Sequence, residues 1–151
     1  MKKAFTMIEL VFVIAVIGIL SAVAIPKLAP IVGSAHTVKG KATLSSVRGA
    51  IATEKQKLLL QGIFGGITKL RNGTTGVFTK FVYKKNDGTS TTGSNVLEYD
   101  VQSCTGRSGC WHTDDGITYD FYKTASKKCT FKLVNNRFKD ETTGGCTDLT
   151  Q

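Results

Sequence analysis

An apolar run near the amino terminus constrains this chain more than any other part of its sequence. The 21 residues from Phe5 to Ile25 include one charged side chain, Glu9. A helix of this length, rising about 1.5 Å per residue, spans about 31 Å, which matches the ~30 Å hydrocarbon core of a bilayer. We therefore expect residues 5–25 to form a membrane-spanning helix, and the position of Glu9 within it needs an explanation.

A secretory signal peptide is the alternative interpretation of the same run. Lys2 and Lys3 provide a basic start, but the apolar residues outnumber the roughly 7 to 15 of an ordinary signal peptide, and Glu9 interrupts them. We favour a span that is retained. The two lysines before it and the large domain after it predict a cytoplasmic amino end and a head on the other side of the membrane.

The stretch "AFTMIELVFVIAVIGILSAVAIP" resembles the amino-terminal signature of type IV pilins and of the pseudopilins of type II secretion. A short basic leader, a small residue before Phe5, a glutamate five positions into the mature chain, an apolar helix and a proline near its end carry the resemblance, which covers roughly the first 30 residues. It implies that a prepilin peptidase removes leader residues 1–4 by cutting between Ala4 and Phe5, and that Phe5 becomes N-methylated. Ala4 stands where glycine is commoner in the family.

The resemblance also implies a role for Glu9. Its carboxylate would neutralise the amino group of Phe5 on a neighbouring subunit, because leaving either charge alone in a low-dielectric site is costly. It further implies a structural, non-enzymatic subunit of a pilus or pseudopilus without a cofactor. Its partners would be like subunits in a filament, the peptidase, an inner-membrane assembly platform and membrane lipid. The head would lie in the periplasm or on an extracellular pilus.

Residues 26–62 are predicted to form the second half of one long helix, kinked at Pro26 and ending near Gly62. Apolar side chains recur there every three to four positions, as on one helix face. This predicted stripe comprises Leu28, Ile31, Val32, Ala35, Val38, Ala42, Val47, Ala50 and Ile51.

Residues 63–151 are predicted to form an antiparallel sheet of about four to six strands packed on the helix, which gives an α+β fold like that of a pilin. "VFTKFVYK" and "NVLEYDV" are candidate strands, with "KNDGTSTTGS" as a loop between them. Asp115-Gly116 and Asn135-Asn136 mark the turns of two further hairpins.

Four cysteines lie in the last third of the chain, namely Cys104, Cys110, Cys129 and Cys146. They contain no C-x-x-C pair and form no zinc spacing with His36 or His112, so disulfides in an oxidising compartment are favoured over zinc. Three pairings are open. We favour Cys104 with Cys110 and Cys129 with Cys146, because each closes a local loop.

The formal net charge of +9 favours acidic partners. A solvated surface is the simpler interpretation of scattered lysines, and the alternative function is a minor pilin whose basic head binds DNA in competence uptake. Its candidate contacts, with Phe and Tyr between them on neighbouring strands, are Lys80, Lys84, Lys85, Lys123, Lys127, Lys128 and Lys132.

Other chemistry finds little support in the sequence. Asp114, Asp115 and Asp120 surround a turn but lack the EF-hand pattern, and the proline-containing calcium motif usual in major pseudopilins is missing, so we predict no metal site. Ser108 lacks the strand-to-helix context of a nucleophile elbow, and no catalytic constellation is recognised. Trp111, next to Cys110, is expected in the core.

Overall fold

The computed structural model describes residues 5–142, apart from the side chain of Ala29, and residues 146–150. Ala4, half of the predicted cleavage site, lies outside the described residues. The elements are α1 (Met7–Leu60), β1 (Ile67–Lys69), β2 (Lys80–Lys84), β3 (Ser90–Asn95), β4 (Cys110–His112), β5 (Thr118–Tyr122), β6 (Lys128–Val134), β7 (Arg137–Asp140) and α2 (Thr147–Thr150). The chain divides into two compact units between Ala35 and His36.

Helix α1 has identifiable signals at both ends. Thr6 is its N-cap, since the Glu9 amide donates to Thr6 Oγ1 at 3.3 Å. At the other end Gly62 has φ 74°, and the amides of Ile63 and Gly62 donate to the carbonyls of Leu58 and Leu59, which is a Schellman motif. The helix thus ends within the stretch where the glycines predict it. It continues through Pro26, and the kink there stays a prediction.

The buried row of α1 differs from the predicted apolar stripe. The buried positions follow spacings of four and three, and they are Gly40, Leu44, Val47, Ile51, Glu54 and Leu58. Of the predicted stripe, Val47 and Ile51 are buried, whereas Leu28, Ile31, Val32 and Val38 are all more than half exposed. The stripe prediction was wrong in part because contact with the sheets, rather than apolar character, decides which residues of the helix are buried. The buried row therefore includes a glycine and a glutamate.

The first sheet has the antiparallel order β1-β2-β3. The prediction of a strand at "NVLEYDV" was wrong, because β3 instead occupies residues 90–95, most of them in the predicted loop. Turn chemistry explains the difference. Gly88 has φ 83°, and Asp87 Oδ1 accepts the Thr89 amide at 2.8 Å, so a tight hairpin pairs β3 with β2 although β3 lacks apolar alternation.

The second sheet has the antiparallel order β4-β5-β6-β7, and it contains both predicted hairpins. Asn135 and Asn136 have φ 50° and 59°, the left-handed conformation that a two-residue type I′ turn requires, and they bring Val134 opposite Arg137. The described residues therefore form seven strands in two sheets rather than the one predicted sheet of four to six strands.

Aromatic rings fill the core between helix and sheets. Phe78 stacks on Tyr119 with ring centroids 4.9 Å apart, and Trp111, 1% exposed, lies 5.0 Å from Phe121. The prediction of Trp111 in the core is therefore confirmed. Gly40 lets α1 approach this cluster, because a Cβ at that position would stand 2.5 Å from Phe121 Cζ.

Two disulfides cross-link residues within the head. Cys104 is bonded to Cys110 and Cys129 to Cys146, with Cα–Cα distances of 5.9 and 5.8 Å that are usual for such bonds. They are the two local pairings that the sequence favours. The second bridge joins β6 to the residue just before α2, whose Leu149 is 2% exposed and belongs to the core.

Candidate functional site

The amino-terminal part of α1 is apolar and uncovered. The most apolar 18-residue stretch of Met7–Leu28 has a mean hydropathy of 2.8, and none of it is buried within the chain. The whole segment is long and apolar enough to cross a membrane. Its large exposed apolar side chains include Met7, Ile8, Leu10, Val11, Phe12, Val13, Ile14, Val16, Ile17, Ile19, Leu20, Val23, Ile25 and Leu28. Such a surface requires lipid or protein from outside the single chain to cover it.

Phe5 and Glu9 lie on either side of the helix start. Phe5 is 79% exposed and precedes the N-cap residue, and Glu9 is exposed in the first turn of α1. Thr6 and Glu9 have the spacing of a capping box, and a negative charge in the first turn is favourable beside the helix dipole. Both residues are thus accessible to a second subunit, and pairing between them stays a prediction.

The seven candidate DNA-contacting lysines do not come from neighbouring strands. Lys80 and Lys84 lie on β2 in the first sheet, whereas Lys128 and Lys132 lie on β6 in the second. This part of the prediction was wrong because the single expected sheet is two sheets. The remaining three lysines lie in turns and loops, and Lys85 and Lys127 among them are exposed.

Two of these lysines already have acidic partners. Lys123 Nζ lies 2.6 Å from Asp148 Oδ2, and Lys128 Nζ lies 2.7 Å from Asp120 Oδ2. The hydrogen bond from Lys128 to the Asp120 carboxylate raises the pKa of the lysine.

The aromatic residues on the same strands point into the core. Phe81 on β2 and Phe131 on β6 are 1% and 0% exposed. Stacking on nucleic-acid bases requires an accessible ring, so these two cannot supply it without opening the core. The DNA hypothesis therefore rests on net charge.

Sequence reasoning missed one side-chain constellation in the head. Ser103 Oγ lies 3.0 Å from His112 Nδ1, and His112 Nε2 lies 3.1 Å from Asp114 Oδ1. A bridge between Ser103 and Trp111 brings the serine beside β4, and no local motif signals this contact. The Asp114 side chain is 91% exposed, so solvent screens its interaction with the ring. The arrangement orients His112 and ties the loop after Ser103 to β4.

Asp115 in the β4–β5 turn stabilises that turn through hydrogen bonds to the backbone. Asp115 Oδ1 accepts the amides of Ile117 and Thr118 at 2.8 and 2.7 Å. Partial burial opposes ionisation of Asp115, but these amide donors outweigh it and lower the pKa of the carboxyl group. Within residues 5–142 and 146–150, no three metal-ligating side chains form a group able to hold an ion.

A groove of about 750 Å³ lies between α1 and the β6–β7 hairpin. Arg48 belongs to its wall, and Arg48 Nε donates to the Phe138 carbonyl at 3.2 Å. The lining residues are Arg48, Ile51 and Ala52 of α1, Asn136, Arg137, Phe138, Lys139 and Asp140 of the hairpin, and Thr150. No part of the sequence predicts this groove, because residues of its two walls, such as Arg48 and Phe138, are 90 positions apart in the chain.

Comparison with known families identifies a motif at the amino terminus. The prokaryotic N-terminal methylation motif matches residues 1–25. The chain therefore carries the signature of type IV pilins and pseudopilins, as its opening residues predict. No solved structure matches the chain.

Proposed function

We propose that this chain, which opens with the prokaryotic N-terminal methylation motif, is a structural subunit of a type IV pilus or a type II secretion pseudopilus. The observation that carries the proposal is the uncovered apolar surface of Met7–Leu28, which begins within the matched motif. Prepilin peptidase cuts between Ala4 and Phe5 and Phe5 is methylated. The segment then holds the subunit in the inner membrane until assembly.

Assembly exchanges one apolar environment for another. In the membrane the side chains of Met7–Leu28 contact lipid, and in the filament they contact the same segments of neighbouring subunits. Because the segment stays out of water throughout, the hydrophobic contribution changes little, and the motor of the assembly platform supplies the work of extraction.

The charge pair provides the register. In an apolar bundle, an ionised Glu9 and a protonated Phe5 amino group attract strongly when they meet, and each is costly alone. A subunit shifted along the bundle would leave both charges without a partner, so the pair favours one axial position.

The disulfides support an extracytoplasmic head. Cys104–Cys110 and Cys129–Cys146 persist in an oxidising compartment such as the periplasm. This agrees with the orientation that Lys2 and Lys3 predict.

The test compares Glu9→Ala with Glu141→Ala, which removes an exposed carboxylate from the head outside the lining of the groove. Cells producing each variant are sheared, and sheared material and membranes are analysed by mass spectrometry. We expect chains beginning at methylated Phe5 in the membranes of both variants, but in the sheared fraction of the Glu141 variant alone. Equal amounts of both variants in the sheared fraction would contradict the charge-pair mechanism. A chain that keeps Met1 throughout would contradict the proposed function.

A further inference from the structure

The groove between α1 and the β6–β7 hairpin carries a net positive charge. Arg48, Arg137 and Lys139 contribute three positive charges to its lining and Asp140 one negative charge, which leaves a formal +2. Its volume of about 750 Å³ lies within the roughly 300–1,000 Å³ range of ligand-binding pockets. The hydrogen bond from Arg48 Nε to the Phe138 carbonyl fixes one guanidinium in the wall before any partner arrives.

β7 is an edge strand of the second sheet. Positive side chains such as Arg137 and Lys139 discourage unselective pairing along an edge. They therefore favour a partner that brings negative charge, and an acidic peptide segment is the class of ligand that meets this condition.

The same head exposes a segment with the complementary charge. Tyr99 is 81% exposed, and Glu98 and Asp100 on either side of it are exposed as well, which gives a formal −2. The segment is anchored from behind, because Val96 is 3% exposed and the Val77 amide donates to the Val101 carbonyl at 2.8 Å. An anchored loop presents its three side chains at a small entropic cost on binding.

We propose that the segment Glu98–Tyr99–Asp100 of one subunit docks in the groove of a second copy of this chain. The two carboxylates meet the guanidinium and ammonium groups of Arg48, Arg137 and Lys139, and the Tyr99 ring enters the groove beside Ile51. Tyrosine and arginine are the residue types that concentrate binding energy at interfaces. The inference rests on the proposed function, since it assigns a contact between heads within that assembly.

The two surfaces of this contact are different patches of one head. A heterologous contact repeats from copy to copy and generates an open helical array unless the rotation closes a ring. The docking therefore adds a directional head contact to the helix-bundle contacts of the apolar segment.

The test uses photo-crosslinking of the full chain in producing cells. p-Benzoylphenylalanine replaces Tyr99, and as a control it replaces Phe64, which is similarly exposed at 73%. Crosslinked dimers from sheared material and from membranes are digested and sequenced by mass spectrometry. We expect the position-99 probe to join residues 136–140 of a second copy, and the position-64 probe to leave those residues uncrosslinked.

Charge reversal sharpens the result. Arg137→Glu should lower the yield of the position-99 crosslink about tenfold, because like charges then face each other, and adding Asp100→Arg should restore it. The matched control is Lys85→Glu, because Lys85 is exposed and lies outside the groove lining. It should leave the yield of the position-99 crosslink unchanged. The crosslink is scored in both fractions. Its absence from both fractions overturns the docking, whereas a chain that keeps Met1 in both fractions overturns the proposed function.

Discussion

The two parts of α1 use apolar residues in different ways. In Met7–Leu28 the apolar residues are nearly unbroken, and the chain itself covers none of the most apolar stretch. After His36, the buried positions recur at spacings of four and three, and the polar residues between them face water. The comparison teaches that apolar side chains at helical spacing are buried by the chain itself. An unbroken apolar run instead needs lipid or another protein to cover it.

The same contrast separates two glutamates of the helix. Glu9 is exposed in the apolar part, while Glu54 is 4% exposed in the buried row. Glu54 Oε2 accepts from Ser94 Oγ at 2.6 Å and lies 3.4 Å from Lys57 Nζ, and Glu54 Oε1 has no hydrogen-bond partner within the described part of the chain. One carboxylate is thus available to another subunit, and the other is committed to attaching β3 to the helix.

Leucine truncation should separate the two parts most strongly. Leu44 is 1% exposed, so Leu44→Ala leaves a cavity in the core and should lower the free energy of unfolding of the head by about 2–5 kcal/mol. Leu20→Ala, at a position 65% exposed, should leave it unchanged. The measurement is urea unfolding of the full chain in detergent, followed by fluorescence of its one tryptophan. Equal losses for both variants would break the comparison.

Removing the partner of the buried glutamate should have the next largest effect. Ser94→Ala takes away the 2.6 Å hydrogen bond to Glu54, and because the carboxylate stays buried, we expect a loss of about 1.5–3 kcal/mol in the same unfolding assay. Ser90→Ala on the exposed end of β3 is the control and should change stability by less than about 0.5 kcal/mol. A Ser94 variant as stable as the control would show that Glu54 is solvated.

Alanine substitutions at two glycines of α1 should have the smallest effects on stability, and the two effects should have opposite signs. Gly40→Ala places a Cβ against the buried Phe121 ring, and overpacking should cost about 1–3 kcal/mol, partly offset by better helix propensity. Gly49→Ala, whose Cβ would have no atom within 4 Å apart from the adjoining backbone of its own helix, should stabilise the same helix by up to about 1 kcal/mol. Thermal unfolding of the full chain in detergent distinguishes the two. Stabilisation by both variants would show that α1 does not rely on close approach at Gly40.

Local chemistry made the most reliable predictions from sequence. The long apolar span and the turns at Asp115-Gly116 and Asn135-Asn136 depend on residues adjacent in the chain, and the structure contains both hairpins. β3 was missed because its sequence, STTGSN, has no apolar alternation and is placed by the preceding turn.

Features that depend on distant residues lay beyond sequence reasoning. The buried row on α1 is selected by contacts with strand residues 40 or more positions away, such as Ser94 for Glu54 and Phe121 for Gly40, which is why Gly40 and Glu54 were not distinguished from their neighbours. For the same reason the sequence did not predict the contact of His112 with Ser103. It also did not predict the groove in which Arg48 donates a hydrogen bond to the β7 backbone.

The two disulfides also have a mechanical consequence. A filament subunit under tension that unravels lengthens by about 3.4 Å for every residue released. The bridges span sequence separations of 6 and 17 residues, so together they withhold on the order of 80 Å of chain from extension. When its sheets unfold under load, the oxidised head therefore extends by about that much less than the reduced one, and reducing agent should lengthen its force-extension trace by the same amount.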